Sequence, residues 1–190
     1  CGEKTWDDAN DQDGKRPTEI TVNLLKNGTK FKTVKVKAGA DGKWKYKFTN
    51  LDEYENGQKI VYSVKEEAVE GYKFSYEGYN IRNSYTPKKT SVTVTKNWDD
   101  ANNQDGKRPE EITVNLLKNG AKFKSVRVKP DADGNWKYEF TNLDKYENGK
   151  EIKYTVTEDT VKDYNFSSEG YNIKNSYTPG KTSVTVTKSW

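Results

Sequence analysis

The chain of 190 residues consists of two near-copies of one unit. Trp6 corresponds to Trp98, and Trp98 corresponds to Trp190, so the repeat period is 98 − 6 = 92 residues. A period of this length exceeds the roughly 20 to 50 residues of solenoid repeats, and it is long enough for one modest core. We therefore predict two tandem domains, residues 1–87 and 88–179, followed by residues 180–190, which repeat the first strand of a further unit.

Short stretches of alternating apolar and polar residues, separated by turn signals, predict that each unit is an all-β sandwich. In the second copy, residues 91–98, 152–158 and 171–177 alternate in this way, and Asn119-Gly120 is a hairpin signal. Helical periodicity is absent. Although the hydrophobic fraction is only 31%, an aromatic fraction of 13% supplies core area that the aliphatic residues do not.

The composition excludes several classes of function. The 33 basic and 29 acidic residues are interleaved, and a net charge of +4 is unlike the basic stripe of a nucleic-acid-binding protein. The absence of histidine excludes Ser-His-Asp and Cys-His catalysis and most zinc sites. Cys1 is the only cysteine, so no disulfide forms within the chain. No apolar stretch is long enough to span a bilayer, and no signal peptide is present, so we expect a segment of a larger protein.

The acidic loop at residues 7–17 does not match a calcium-binding loop. If Gly14 is taken as the turn glycine, Ala9 and Ile20 occupy the first and the bidentate ligand positions. The Asp and Asn residues of this loop are therefore interpreted as caps and turn formers. A glycosidase carboxylate pair lacks a recognisable cleft. We expect neither a metal nor any other cofactor.

Each copy places a Lys, a Glu and an Asn on the apolar faces of three predicted strands. Strand side chains alternate between two faces, so residues an even number apart share a face. These residues share a face with apolar neighbours, and burying a charge is costly unless a partner neutralises it. The residues are Lys4, Glu66 and Asn83 in the first copy and Lys96, Glu158 and Asn175 in the second. Their recurrence predicts that each set meets inside its domain.

Three interpretations of this triplet remain open. A buried lysine with a lowered pKa is a nucleophile, and an asparagine amide carbon beside it is an electrophile. A protonated glutamate would polarise the amide oxygen and pass protons to the departing ammonia, so that a Lys–Asn isopeptide bond forms once. Alternatively, the triplet is a non-covalent Lys–Glu ion pair hydrogen-bonded to Asn. In the third interpretation, the residues lie at strand ends and the lysine extends to water.

Four motifs carry a resemblance to a known family. They are TSVTVTKNW at 90–98, WDDANNQDGKRP at 98–109, YTVTE at 154–158 and IKNSYTP at 173–179. Together they resemble the B-repeats of Gram-positive collagen adhesins, the Cna B-type domains, across both units. The resemblance implies two tandem immunoglobulin-like, transthyretin-like β-sandwiches. It also implies Lys4–Asn83 and Lys96–Asn175 isopeptide bonds assisted by Glu66 and Glu158, in a single autocatalytic turnover rather than enzymatic catalysis.

The resemblance further implies a structural stalk on the bacterial surface. Such repeats are similar to modules that project a separate ligand-binding region from the cell wall. The expected partners are adjacent repeats and that region, with anchoring through parts absent from this chain, and we expect no direct collagen binding. The alternative is an adhesive module, a virulence-related surface domain that binds a host protein or glycan through loops near Tyr76 and Tyr79.

The two ends of the chain differ. Three residues precede Lys4, whereas residues 182–190 repeat the first strand in full and include Lys188. We therefore expect a truncated first strand in the first domain and a spare C-terminal strand. An unpaired strand tends to find a partner, so head-to-tail self-association is one expectation, with Lys188 competing with Lys4 for Asn83. A repeat that simply ends here is the other.

Overall fold

The computed structural model describes residues 1–190 and contains strands but no helices. It divides into two compact units, Cys1–Lys88 with Lys145–Glu151, and Lys89–Asp144 with Ile152–Trp190. The first nine strands are β1 Gly2–Asp7, β2 Glu19–Lys26, β3 Thr29–Lys37, β4 Trp44–Tyr46, β5 Tyr54–Glu55, β6 Gln58–Lys59, β7 Tyr62–Glu66, β8 Lys73–Glu77 and β9 Asn80–Ser84.

Two sheets form the first sandwich. One has the order β4-β1-β9-β8, the other has the order β3-β2-β7, and β5 with β6 forms a separate hairpin. Strands β1 and β9 run parallel, while the other neighbouring pairs are antiparallel. Alternation along β2 buries Ile20, Val22 and Leu24 between the sheets. The core is completed by Trp44, Tyr46 and Ile81 of the facing sheet and by Val64 of β7, the neighbour of β2.

The second sandwich repeats this topology. Its strands are β10 Lys89–Asp99, β11 Ile112–Lys118, β12 Ala121–Val128, β13 Trp136–Asp144, β16 Tyr154–Glu158, β17 Asn165–Glu169 and β18 Asn172–Ser176, and the two short strands that precede β16 are β14 Tyr146–Glu147 and β15 Lys150–Glu151. The sheets have the orders β13-β10-β18-β17 and β12-β11-β16, with β10 and β18 parallel. The all-β prediction and the two tandem sandwiches are therefore confirmed.

The first strands of the two sandwiches differ in length. β1 has six residues and pairs with β4 only from Gly2 to Lys4. β10 has eleven residues and pairs with β13 from Lys89 to Lys96, with one irregularity between Thr90 and Val92. The longer pairing buries Val92 and Val94 and enlarges the second core, since β1 has no residue equivalent to Val92 and has Gly2 in place of Val94.

The spare C-terminal strand is not formed within this chain. Residues 177–190 carry no strand, and Val184 and Val186 are 86% and 85% exposed. The octapeptide at residues 181–188 is identical to that at residues 89–96, which lies in β10. A β-strand needs a neighbouring strand for its backbone hydrogen bonds, and this tail has none here. No helix in the structure is long and apolar enough to cross a bilayer.

Candidate functional site

In the first sandwich the predicted Lys, Glu and Asn side chains meet in the core. Lys4 is 2% exposed, Glu66 2% and Asn83 1%. The Lys4 Nζ lies 3.2 Å from the Glu66 Oε2. The Asn83 Nδ2 donates a hydrogen bond of 2.6 Å to the other carboxylate oxygen, Oε1. Glu66 thus bridges the amine of one neighbour and the amide nitrogen of the other.

Three strands from two sheets bring these residues together. Lys4 is on β1 and Asn83 is on β9, and these strands are parallel neighbours with Lys4 paired to Ile81. Because side chains two residues apart share a face, Lys4 and Asn83 both point into the sandwich. Glu66 ends β7 on the opposite sheet, where its backbone N–H donates to the Tyr76 hydroxyl at 2.9 Å. The site therefore exists only where the two sheets face each other.

The second sandwich contains the same arrangement. Lys96 Nζ donates to Glu158 Oε2 at 2.5 Å, and Asn175 Nδ2 donates to Glu158 Oε1 at 2.5 Å. The Lys96 and Glu158 side chains are both buried, as is Asn175. In both sandwiches the asparagine Oδ1 is buried without a hydrogen-bond partner. The carboxylate therefore contacts the amide nitrogen and not the oxygen, unlike the polarisation of the oxygen considered from the sequence.

Burial sets the electrostatics of the two lysines. Loss of hydration lowers the pKa of Lys4 from 10.5 to about 8, and the Glu66 carboxylate offsets part of that effect. Burial also lowers the pKa of Lys96, again against the opposing influence of Glu158. A lysine with a lowered pKa has more neutral amine at neutral pH, and the neutral amine is the nucleophilic form.

A tryptophan ring covers each lysine, a contact that strand parity alone did not indicate. The Lys4 Nζ lies 3.2 Å from the Trp6 ring centroid, and the Lys96 Nζ lies 3.9 Å from that of Trp98. Trp6 packs edge-on against Trp44 and Tyr72, at centroid distances of 5.2 Å and 5.1 Å. The Lys-x-Trp spacing in both copies was the available signal, because it places both side chains on one face.

The acidic loop contains a partly buried ion pair that the sequence interpretation missed. Arg16 donates to both oxygens of Asp8, from Nε at 3.1 Å and from Nη2 at 2.6 Å. Tyr72 donates its hydroxyl to the Asp8 Oδ2 at 2.7 Å, and the Asp11 N–H donates to Oδ1 at 2.9 Å. Asp8 caps the loop as predicted, but it is also the partner of an arginine. An Asp and an Arg eight residues apart in both copies were the signal.

Burial alone would raise the pKa of Asp8, but the hydrogen bonds from Arg16 and Tyr72 outweigh it and lower the pKa. The equivalent Asp100 has its pKa lowered to about 2, chiefly by the hydrogen bond from Arg108. Each carboxylate is therefore ionised at neutral pH and fixes the arginine beside it.

The loop reaches this position through three consecutive left-handed residues. Ala9, Asn10 and Asp11 have φ angles of 52°, 56° and 58°. In the second loop, residues 101–103 adopt the same conformation, with φ angles of 51°, 58° and 60°. Left-handed conformations are costly for residues other than glycine, so the contacts of Asp8 and Asp100 offset a local strain.

The remaining predicted residues lie outside the two triads. Lys188 is in the exposed tail, where its Nζ lies 3.3 Å from the Trp190 ring centroid, and Lys4 occupies the place beside Glu66 and Asn83. Tyr76 lies on strand β8 and not in a loop, Tyr79 lies in the turn that follows this strand, and both side chains are exposed. Their hydroxyls nevertheless serve the fold, because the Tyr79 hydroxyl donates to the Tyr62 carbonyl at 3.3 Å.

Comparison with known proteins identifies the family of these sandwiches. The family model for the Cna protein B-type domain matches residues 1–84 and again residues 92–176. A collagen adhesin from Staphylococcus aureus is 48% identical over 193 residues, covering 98% of this chain but only 16% of the relative. The chain thus spans about a sixth of the length of that protein.

A solved structure that contains two repeat units also matches the chain. The crystal structure of two B repeat units, B1B2, of the collagen binding protein of Staphylococcus aureus matches with a TM-score of 0.75 and 47% identity, covering 94% of this chain and 49% of that chain. The duplicated sandwich, its strand order and its sequence motifs therefore agree with one assignment. The chain belongs to the Cna protein B-type domain family.

Proposed function

We propose that the chain forms two stalk repeats of a bacterial surface adhesin, each cross-linked internally by a Lys–Asn isopeptide bond. The bonds join Lys4 to Asn83 and Lys96 to Asn175, with Glu66 and Glu158 as the assisting acids. The observation that carries the proposal is the buried Lys–Glu–Asn arrangement, present in both sandwiches with the same contacts.

The position of the carboxylate supports a proton-transfer role. Glu66 accepts a proton from the Lys4 ammonium, and the neutral amine then adds to the Asn83 Cγ. A bond between Nζ and Cγ forms, and the bond between Cγ and Nδ2 breaks. Glu66 returns its proton to Nδ2, which leaves as ammonia, and the regenerated carboxylate then takes the second proton of Nζ and passes it to that ammonia. A neutral amide and an ammonium ion result, and no external reagent is consumed. Fixed neighbours of this kind gain a very high effective concentration.

The choice of strands that the bond connects would make a stalk resistant to tension. Lys4 and Asn83 lie near opposite ends of the first domain in sequence but on adjacent strands, 83 − 4 = 79 residues apart. A tension applied to the two ends of the domain would pass through the bond and not through the sheet. The bond also needs no oxidant, which suits a surface domain without cysteine pairs.

The intact mass of the folded protein tests this proposal. Each condensation releases one ammonia, about 17 Da, from the attack of the amine on the amide. Two bonds give a deficit of about 34 Da, and a peptide map would place them at the predicted lysines and asparagines. The full calculated mass would contradict the proposal and leave the triads as non-covalent ion pairs.

The same proposal includes the position of these domains in a longer parent protein. Residues 1–87 and 88–179 are successive repeats, and residues 180–190 correspond to the first strand of another. Their partners are adjacent repeats and a ligand-binding region elsewhere in the parent protein, which is attached to the cell wall through other parts. The Staphylococcus relative is named a collagen adhesin, but we assign no collagen binding to these two sandwiches.

The exposed tail supports head-to-tail self-association as a further property of this chain. The same octapeptide occurs at residues 89–96 and at residues 181–188. In β10 it is paired, and Val92 and Val94 are core residues, whereas in the tail it is unpaired. A second copy would offer it the sheet beside β4, with Lys188 in the place of Lys4. Light scattering across a concentration series tests this, because a monomer at every concentration would contradict it.

An adhesive role through the loops is the second candidate. Phe74, Tyr76 and Tyr79 are exposed in the first domain. Phe166 and Tyr171 repeat two of them in the second domain, where Ser168 stands in place of Tyr76. Binding of immobilised host matrix proteins or glycans that is lost in a Phe74→Ala variant would favour this role over a purely structural stalk.

A further inference from the structure

We propose that Trp6 and Trp98 are positioning residues for the lysine nucleophile, each indole ring holding the lysine Nζ against the asparagine that it attacks. This inference rests on the proposed cross-linking function and names what fixes the geometry of its nucleophile. The tryptophans take no part in bond making or breaking, so they act through the lysine.

The ring contacts the nucleophile, and its residue is paired in register with the electrophile. The Lys4 Nζ is 3.2 Å from the Trp6 ring centroid, close enough for a cation–π contact. Trp6 is also the direct register partner of Asn83 in the parallel pair of β1 and β9. Directly opposed residues of neighbouring strands have adjacent side chains. Trp6 therefore adjoins the nucleophile on its own strand and the electrophile on the next strand.

The ring itself is held from several sides. Trp44 and Tyr72 pack edge-on against it, and the Arg16 guanidinium carbon lies 5.4 Å from its centroid. Asp8 fixes both Arg16 and the Tyr72 hydroxyl by hydrogen bonds. The conformation of the left-handed loop therefore matters at the site, because it positions Arg16, which Asp8 anchors, beside the ring that contacts Lys4.

The second sandwich repeats each of these contacts. Trp98 packs against Trp136 at 5.3 Å and Tyr164 at 5.1 Å, and the Arg108 guanidinium carbon is 5.3 Å from its centroid. Trp98 is the register partner of Asn175. Asp100 accepts hydrogen bonds from both Arg108 and Tyr164.

The C-terminal tail shows which contact of this arrangement forms without the sandwich. Lys188 and Trp190 make the same contact, 3.3 Å from Nζ to centroid, although the tail is exposed and unpaired. The Lys-x-Trp spacing therefore brings ring and amine together without a folded site. The sandwich adds the neighbours that immobilise the ring and the asparagine opposite it.

A fixed ring matters because lysine is long and flexible. Nucleophilic attack needs the amine within a short distance and a narrow angle of the carbonyl carbon, and a displacement of about 1 Å can cost roughly 100-fold in rate. The ring also shields the amine from water. The charged groups that face Lys4 are Glu66 from β7 and Arg16 and Asp8 from the loop, and burial is what lowers its pKa most.

The test measures the rate of bond formation in the first domain of the full chain. An Asn175→Ala background leaves one reporting site. The chain is prepared in denaturant before any bond has formed and is then transferred to folding buffer. Samples are quenched at intervals, and the loss of about 17 Da is followed between pH 6 and 10. Trp6→Leu removes the ring, Trp6→Phe keeps a smaller ring, and Leu24→Ala removes core packing without touching the lysine. Circular dichroism gives the folded fraction, so each rate refers to folded molecules.

We expect Trp6→Leu to slow bond formation by about 100-fold at pH 7, and Trp6→Phe to recover most of that loss. Leu24→Ala should react at the parent rate once folded. The midpoint of the pH profile should move upward in Trp6→Leu, because water then reaches the amine. A structural role alone would slow Trp6→Leu and Leu24→Ala in proportion to their lost stability and leave the midpoint unchanged.

The proposal is overturned if folded Trp6→Leu reacts at the parent rate with the same pH midpoint, or if Trp6→Phe is as slow as Trp6→Leu. Should Trp6→Leu not fold, Trp98→Leu in an Asn83→Ala background gives the same comparison in the second sandwich, whose larger core tolerates more loss. A parent chain that shows no mass deficit contradicts the cross-linking function itself. A parent deficit of 34 Da with unaffected tryptophan variants contradicts only this inference, since two ammonia molecules have then left.

Discussion

Glu66 and Glu158 connect the amine and the amide that are proposed to react. Each carboxylate contacts the lysine through one oxygen and the asparagine nitrogen through the other. The same group can therefore remove a proton from the nucleophile and deliver one to the leaving nitrogen. A glutamine at this position keeps the shape and loses the proton transfer.

We expect Glu66→Gln to prevent the first bond and leave the second intact. General acid–base groups of this kind contribute about 100-fold to 10,000-fold in rate. The intact mass should then show a deficit of about 17 Da, where the parent shows about 34 Da. Glu158→Gln is the matched control, and the double variant should have the full mass. A deficit of 34 Da in Glu66→Gln would show that the carboxylate is dispensable.

The Asp100–Arg108 pair predicts a loss of stability in acid. The folded-state pKa of Asp100 is about 2, below the 3.8 of an unperturbed aspartate. A depressed carboxyl pKa contributes stability above pH 3.8, and that contribution disappears as the pH falls through the folded pKa. A shift of this size corresponds to about 2 kcal/mol.

Denaturant unfolding of the second domain between pH 2 and 5 measures this. Asp100→Asn should lower the free energy of unfolding at pH 7 by about 2 kcal/mol, because it removes the carboxylate charge that the Arg108 guanidinium stabilises in the folded state. The gap between the variant and the parent should narrow from pH 5 downward and close as the pH falls through the folded-state pKa of about 2. An exposed carboxylate such as Asp99 provides the control, and Asp99→Asn should change little. A constant gap between Asp100→Asn and the parent at all pH values would contradict the prediction.

The sequence was sufficient to predict which residues turn inward, and insufficient to predict what covers them. Parity along three strands singled out Lys4, Glu66 and Asn83, because strand side chains alternate with a fixed period. The ring over Lys4 and the pair between Asp8 and Arg16 depend on side-chain torsions and on a loop path. Neither follows from a period, since each torsion has several accessible rotamers.

At the scale of elements, the parallel pair of β1 and β9 is the important connection. The two strands are far apart in sequence and adjacent in the sheet, with Trp6 opposite Asn83. Pulling the N-terminal end of β1 against the C-terminal end of β9 loads all their hydrogen bonds together. A covalent bond between these strands adds a constraint on the unfolded chain as well.

The Asn83→Ala variant tests the size of that constraint. A cross-link that closes a loop of 83 − 4 = 79 residues stabilises by about 4.5 kcal/mol in the chain-entropy treatment. For a domain of this size, that loss should lower the melting temperature by roughly 20 °C. Calorimetry should show one lowered and one unchanged transition.

Asn83→Asp is the matched control for this measurement. An aspartate can still condense with Lys4, with the loss of water, about 18 Da, in place of ammonia. It should therefore keep most of the stability that Asn83→Ala loses. Equal melting temperatures for Asn83→Ala and the parent would contradict a stabilising bond.

Strands were predicted well where apolar and polar residues alternate, and less well where the strand depends on a neighbouring segment. The strands that line each core follow from alternation and turn signals. Residues 182–190 carry the sequence of a strand and form none, because backbone pairing is a property of two segments. The three left-handed residues at positions 9–11 have no sequence signal as strong as glycine, and they depend on contacts made by Asp8.

At the scale of the whole molecule, the two bonds determine how far the chain can be extended. Each bond removes 79 residues from the stretchable path, since 83 − 4 and 175 − 96 are equal. At about 3.3 to 3.6 Å per residue, each hidden segment corresponds to roughly 270 Å.

Single-molecule force spectroscopy should therefore show no unfolding step of that length in the parent chain. Asn83→Ala should restore one such step, and a variant that also carries Asn175→Ala should restore two. Asn80→Ala, which changes an exposed asparagine on the same strand, is the control and should remain inextensible. An unfolding step in the parent chain would show that its domains are not cross-linked between these strands.

The position of Glu66 on the sheet opposite Lys4 and Asn83 has one more consequence. Two strands of one sheet can pair before the second sheet has packed, but they then lack the carboxylate that transfers the proton. Bond formation would therefore follow completion of the core and not precede it. Each ammonia lost would be a permanent record that one domain had folded correctly, and the mass of a population would count such domains long after synthesis.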